Sequence, residues 1–374
     1  MEAGVATPAY LTAALRRAGA LPRGEVLAVG QERSPAFNSA VTHLRLTYSP
    51  AAPPSAPRGL VLKRNHPSAW GARAGAREVA FYRLVATPQA PQGPGARGIL
   101  VPCIEAAHDA PAEGSPEGGS HLLLEDLSLT HRPPRTRGEI VSGQAVPPLA
   151  QAEAVVDALA RFHGAWWDHS LLDGGAIRLS PWCADPAAYD DLTTSRRQDW
   201  ERFLEAEGGW FPADLRALYE SVLAAAPLLR GRSFPRRRQR TLTHNDCYFS
   251  NWLSPLRPAS GPPRLIDWQS PEVSPGPFDL VPLLATFVTP DQRREGGFEA
   301  RLLRRYHAGL VAAGVQDYSW EDCHDDYRLG IADYWLFYPI WDEVNGSGRD
   351  YWWPKLRCLV GAYRDLECAA LLSG

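Results

Sequence analysis

Apolar positions recur along this chain with two different periods, and the period changes once. Over residues 8–19, Leu11, Ala14 and Leu15 share one helical face, with Pro8 suited to the first turn and Gly19 to the end. From 25 to 63 the pattern shortens to alternation. Glu25-Val26-Leu27-Ala28-Val29, Val41 to Tyr48 and Gly59-Leu60-Val61-Leu62-Lys63 each read as strands. Ser34 to Ser39 is a turn-rich link between the first two, and Ala52 to Pro57 leads into the third. Good helix formers from Ala72 to Val85 carry Glu78, and Ile99 to Glu105 and His121 to Leu127 predict two more strands around a surface loop at Pro111 to Gly119. Beyond residue 128 helical periods dominate, at roughly 149–167, 190–207, 212–228, 297–313 and 325–342. Only Thr241 to Trp252 and Arg264 to Trp268 interrupt them. The pattern predicts an α+β chain in two lobes: a small antiparallel-sheet lobe over 1–126 and a larger helical lobe over 127–374.

Composition narrows the class. With 45% hydrophobic residues, 22% charged and a net charge of −3 in 374 residues, the chain is neither disordered nor a general nucleic-acid binder. No apolar run approaches a membrane span, and Met1-Glu2-Ala3-Gly4 has neither the basic start nor the apolar core of a secretory signal. The six cysteines form no C-x-x-C pair and have no His at zinc spacing, so reduced thiols and a cytoplasmic setting are expected. Of the 39 basic side chains only two are lysines, Lys63 and Lys355. A codon-biased genome explains the arginines; a retained lysine marks a place where a compact point charge on a flexible stem is not replaceable by a guanidinium fork. Lys63 precedes Arg64 and Lys355 precedes Leu356, so no P-loop exists, nor is there an H-E-x-x-H zinc helix or a G-x-S-x-G elbow.

The sharpest chemical signal is Leu242-Thr243-His244-Asn245-Asp246-Cys247-Tyr248-Phe249-Ser250-Asn251-Trp252, which contains H-x-D-x-x-x-x-N. A loop for phosphoryl transfer needs a carboxylate to orient the acceptor hydroxyl and take its proton, and a neutral oxygen ligand for Mg²⁺ just beyond it; Asp246 and Asn251 have that spacing. Downstream, Pro263-Arg264-Leu265-Ile266 delivers Asp267, a hard oxygen ligand suited to Mg²⁺ on phosphate oxygens. Order and separation together are far more specific than either piece alone. In the small lobe, Lys63 is placed to contact the α- and β-phosphates, with Glu78 on the following helix as its partner. Ser34 to Ser39, with the backbone of Phe37, Asn38 and Ser39, sits where a phosphate-covering loop belongs. Leu122 to Leu127, with Glu125 and Leu127, is where backbone groups would meet an adenine edge.

On these motifs the chain resembles the aminoglycoside phosphotransferase superfamily, in its ecdysteroid-kinase-like and related small-molecule kinase branch, from about residue 25 to about 285. Leu159-Ala160-Arg161-Phe162-His163-Gly164-Ala165-Trp166-Trp167 resembles the family's helix before the catalytic loop, and Gly276-Pro277-Phe278-Asp279-Leu280 its G-x-x-D-L stretch after the metal Asp. The resemblance implies a protein-kinase-like two-lobed fold, ATP or GTP as donor and Mg²⁺ as cofactor. It implies Asp246 as catalytic base, Asn251 and Asp267 as metal ligands, Lys63 and Glu78 as the ion pair, and His244 and Asp279 as supports of the loop. Three departures stand out. Asn245 replaces the usual Gly of His-Gly-Asp, and Asn tolerates unusual backbone angles. The 34–39 loop has no glycine, and Gln269 stands where an acid often follows Asp-Trp.

The last helical region should build the acceptor side. It holds Trp335, Tyr338 and Trp341 with Asp333 and Asp342, a set for flat or apolar groups, amines and sugar hydroxyls. The expected reaction is transfer to a hydroxyl of a sugar-, nucleoside- or ring-containing natural product or antibiotic, by a monomer or homodimer with no nucleic-acid or membrane partner. An aminoglycoside acceptor ranks second, for want of clustered acid. A degenerate kinase fold that binds nucleotide without turnover is the alternative of another class, and a protein kinase ranks lower.

Overall fold

The computed structural model describes residues 4–34, 39–108, 119–233 and 239–373. The chain divides into two compact units: Met1–Ala90 with Leu100–Arg132 and Pro255–Ser270, and Pro91–Ile99 with Pro133–Ser254 and Pro271–Gly374. The first carries the sheet, the second most of the helices.

In the first unit, β1 (Val26–Ser34), β2 (Ser39–Tyr48), β3 (Gly59–Asn65), β4 (Cys103–His108) and β5 (Ser120–Glu125) form one antiparallel sheet in the order β1-β2-β3-β5-β4. The last two strands begin and end differently from the sequence reading, and Leu127 lies past the end of β5. Helix α1 (Pro8–Arg17) starts at Thr7, whose hydroxyl caps the Tyr10 N–H, with Pro8 in the first turn. Its Leu11, Ala14 and Leu15 join Val26, Leu44, Leu60, Leu62 and Leu123 in one apolar cluster. Alternation along β3 therefore sends Leu60 and Leu62 to that cluster and Lys63 to the other face.

Helix α2 (Ala69–Ala86) begins at Ser68, which caps the Gly71 N–H. It packs against β3, β4 and β5 at close range, because Gly75 has no side chain: a Cβ there would lie 2.1 Å from Ser120 Oγ and 2.7 Å from Asn65 Cβ. That approach brings Glu78, one turn on, within reach of β3.

In the second unit, α3 (Leu149–Ala165) packs along α4 (Phe298–Ala312). Gly164 meets Ala313 and Gly309 meets Ala160, so small residues let the backbones approach, while Arg301 and Arg305 pair with Glu153 and Asp157 along the edge. A short antiparallel pair, β6 (Thr241–Thr243) with β7 (Glu272–Ser274), anchors the start of the loop that follows β6. The helix expected over 325–342 is broken. It runs as Trp320–Leu329, then a wide turn at Gly330–Tyr334, a tight turn at Trp335–Phe337 and a helix at Tyr338–Val344. Two causes are visible. Asp333 is drawn to Arg196, Trp182 and Tyr189, and Pro339 has no N–H to continue the ladder. The 212–228 pattern likewise divides at Ala225, and a helix at Arg349–Asp365 was hidden by Gly346, Gly348 and Pro354. Among the described residues no helix is long and apolar enough to cross a membrane.

Candidate active site

The first unit assembles Lys63, Glu78 and Asp267 into one ion cluster. Lys63 Nζ lies 2.7 Å from Glu78 Oε2 and donates to Asp267 Oδ1 at 2.5 Å. The side chains of Lys63 and Glu78 are 14% and 4% exposed and that of Asp267 31%, so the aspartate is the most exposed member of the cluster. Burial works against the Lys63 ammonium, but Asp267 and Glu78 outweigh it and hold its pKa above the usual value. Burial pushes the Glu78 carboxyl up, and the Lys63 charge opposes that push.

Asp267 is turned out by the residue after it. Trp268 is fully buried, stacks on Phe81 of α2 at 3.9 Å and 8°, and donates its indole N–H to Leu265 O at 3.0 Å. With Trp268 fixed inward, Asp267 sits in the left-handed region at φ 69°, and Gln269 braces it through N–H to Asp267 O at 2.9 Å and Nε2 to Oδ2 at 3.2 Å. A small polar cleft beside the cluster is lined by Ser39, Asn65, Gly75, Ser120 and Gln269 together with Lys63 and Glu78. Ser39 thus stands beside Lys63; Asn38 lies outside the described residues.

Of the two backbone positions expected to meet an adenine, Glu125 already donates its N–H to Pro102 O at 2.9 Å, and the Leu127 carbonyl accepts from Thr130 and His131. The Glu125 carbonyl and the Leu127 N–H take no part in those bonds. Pro102, having no N–H, cannot return the ladder bond to that carbonyl.

In the second unit the loop after β6 is built around a fully buried acid. Asp279 Oδ2 accepts the His244 N–H at 2.7 Å and its Oδ1 the Asn245 N–H at 2.8 Å. His163 Nε2 stands 3.3 Å from Asp279, and its Nδ1 is 2.8 Å from the Tyr306 hydroxyl. Gly276 makes room for that contact, since a Cβ there would lie 2.2 Å from the Tyr306 hydroxyl. Asn245 takes the glycine-like conformation that its position demands, φ 60°, and its Nδ2 donates to buried Glu272 at 2.6 Å. Beyond it, Asn251 Nδ2 donates both to Asp246 O at 2.7 Å and to Asp246 Oδ2 at 2.9 Å. The amide nitrogen is thereby committed, and Asn251 Oδ1 takes no part in these bonds. Cys247 is buried and its thiol is pushed up by burial, which removes it as a nucleophile.

The acceptor candidates divide. Asp333 is buried, with its carboxylate on Arg196 at 2.9 Å, Trp182 at 2.6 Å and Tyr189 at 2.7 Å, so it braces the wide turn and does not face a ligand. Asp342 is buried against Lys355 at 2.6 Å and is likewise withdrawn. Trp335 is buried with its indole on Phe278 O, Tyr338 is half-buried with its hydroxyl 3.0 Å from that of Tyr334, and Trp341 is 46% exposed. Sequence reasoning missed Glu272. Asn245 was the one signal pointing to Glu272: an amide placed where glycine is usual needs something to hold it.

Residues 191–316, about a third of the chain, match the model of the ecdysteroid kinase-like family, a stretch that includes Asp246, Asn251, Asp267 and Asp279. The solved GDP and kanamycin complex of APH(2")-IIia superposes with a TM-score of 0.52 at 12% identity, over 96% of this chain and 99% of that one. A microcompartment-associated aminopropanol kinase gives 0.52 at 11% identity, over 91% of each chain. At such identities the likeness is one of fold: the chain shares the protein-kinase-like α+β fold of those two structures. No curated protein matches the chain.

Proposed function

We propose that this chain is a Mg²⁺-dependent phosphotransferase that moves the γ-phosphoryl group of ATP, or of GTP, to a hydroxyl of a small ring- or sugar-containing molecule. The observation that carries the reading is the lone strand lysine clamped between a buried helix glutamate and a half-exposed aspartate. Glu78 fixes where the Lys63 ammonium points, and Lys63 meets phosphate oxygens as a point charge. The candidate Mg²⁺ ligands are hard oxygen donors of the kind that ion takes: the Asp267 carboxylate in the first unit and the Asn251 amide oxygen in the second. When bound, the ion neutralises charge on the β- and γ-phosphates.

The rest falls to the loop. Asn251 holds the Asp246 carboxylate by its Oδ2, so the carboxylate orients the acceptor hydroxyl and takes its proton. The acceptor oxygen bonds to the γ-phosphorus as the bond to the β–γ bridging oxygen breaks, and the nucleoside diphosphate leaves with that electron pair. Catalysis of this kind is positioning and charge neutralisation.

Asp246→Ala tests the assignment. It should retain Mg²⁺-nucleotide binding by titration calorimetry while phosphoryl transfer falls by about 10²-fold or more. A folded variant that loses both, or that keeps wild-type turnover, contradicts the base role.

A further inference from the structure

Strand register in the first unit places one further pair of side chains on the face that carries Lys63. Residues directly opposite in an antiparallel pair share a face. Leu44 is opposite Leu60, and both enter the apolar cluster with α1. His43 and its partner Val61 therefore lie on the other face, with Lys63 two residues beyond Val61. β3 separates β2 from β5, yet His43 Nδ1 lies 2.8 Å from Oδ2 of Asp126, the residue after β5. Two strand spacings come to about 9.5 Å, so side chains standing upright from the sheet would not meet. The two side chains lie down across β3 instead. Gly59 leaves them the room: a Cβ there would lie 3.3 Å from Asp126 Cβ.

Asp126 is itself held still. Its N–H donates to Gly59 O at 3.1 Å, and its Oδ1 accepts the Ser128 N–H at 2.9 Å. The imidazole is thus fixed at its Nδ1 edge above β3. His43 and Val61 are half-buried, so the surface they form is not closed off. Glu32, opposite His43 on β1, pairs with Arg45 at 2.9 Å and leaves the ring to Asp126.

On the phosphotransferase reading, phosphates at Lys63 leave the nucleoside to run along this face in one direction or the other. Toward Asn65 the face is covered, because α2 packs there through Gly75 against Ser120 and Asn65. Toward Gly59 it is open, and Val61 lies about 7 Å from Lys63 along the strand. We infer that His43, oriented by Asp126, is the residue on which the nucleobase of the donor stacks, with Val61 beside it. A ring held by a carboxylate needs no ordering when the base arrives, and aromatic stacking accepts adenine or guanine alike.

The test is calorimetric titration of the full chain, as wild type, His43→Ala and His43→Phe. The ligands are Mg²⁺-ATP, Mg²⁺-GTP and Mg²⁺-tripolyphosphate, which has the phosphates and no base. For the nucleotide that the wild type binds more tightly, His43→Ala should raise Kd about tenfold or more. His43→Phe, which restores a ring, should stay within about threefold of the wild type. Tripolyphosphate should not distinguish the three proteins. An unchanged nucleotide Kd in His43→Ala, a parallel loss of tripolyphosphate affinity, or no recovery in His43→Phe overturns the inference and leaves the kinase reading standing. Absence of Mg²⁺-nucleotide binding in the wild type overturns the kinase reading itself.

Discussion

The two halves of the candidate residue set, one in each unit, are held by different forces. In the sheet-bearing unit, charges face one another: Lys63 lies between Glu78 and Asp267, and the aspartate is 31% exposed. In the helical unit, a fully buried acid, Asp279, holds backbone: it takes the N–H groups of His244 and Asn245 and never meets solvent. Each half contains a non-glycine residue in the left-handed region, Asp267 at φ 69° and Asn245 at 60°. Each is braced by side chains around it, Lys63 and Gln269 in one case, Asp279 and Glu272 in the other. A cluster of facing charges has partners to exchange; a loop tied by its backbone to a buried acid does not.

That contrast can be broken by mutation. The largest effect on stability is expected from Asp279→Ala, which strands two buried N–H groups and the ring of His163. We expect a loss of about 3 kcal/mol or more in denaturant unfolding. A loss below about 1 kcal/mol would show that the loop is held elsewhere.

Next is Asn245. Replacement by Gly keeps the left-handed backbone and loses only the bond to Glu272, for about 1 kcal/mol. Replacement by Ala also adds strain, for about 1 kcal/mol more. Equal effects of the two would show that the backbone conformation is not what Asn245 supplies.

The smallest effect lies away from the site, in the first unit. Burial raises the Glu105 carboxyl, but bonds from Tyr10, Arg17 and His121 overcome this and hold its pKa below the usual glutamate value. A depressed carboxylate contributes stability above its unfolded pKa and loses it as pH falls through its folded pKa. Melting temperature should therefore fall as pH drops below about 4.5, and less steeply in Glu105→Gln. An identical acid slope in the variant would remove Glu105 from the account.

Much of this was legible in the sequence, because short-range spacing carries it. H-x-D-x-x-x-x-N places Asp246 and Asn251 on one loop, alternation along Gly59 to Lys63 sends Lys63 to one face, and a helix after that strand supplies Glu78. The rarity of lysine was informative twice: both lysines are in buried ion pairs, Lys63 with Glu78 and Lys355 with Asp342. What could not be read depends on long-range partners. Asp333 looked available until Arg196, distant by 137 positions, was seen to take it. The helix at Arg349–Asp365 was masked by local breakers that tertiary packing overrides: Trp352, Leu356 and Leu359 are fully buried. Glu272 has no motif; it follows from the amide it holds.

The central claim, that Asp267 serves a Mg²⁺-nucleotide site with Lys63, is tested most directly by thermal-shift titration. ATP and GTP, each with and without Mg²⁺, are added to the wild type and to Asp267→Ala. Binding to the folded state alone must raise the midpoint. The account predicts a Mg²⁺-dependent rise in the wild type with at least one nucleotide, and loss of the Mg²⁺ dependence in Asp267→Ala. No rise with either nucleotide at concentrations well above millimolar affinity, or an equal Mg²⁺-dependent rise in the variant, would contradict it.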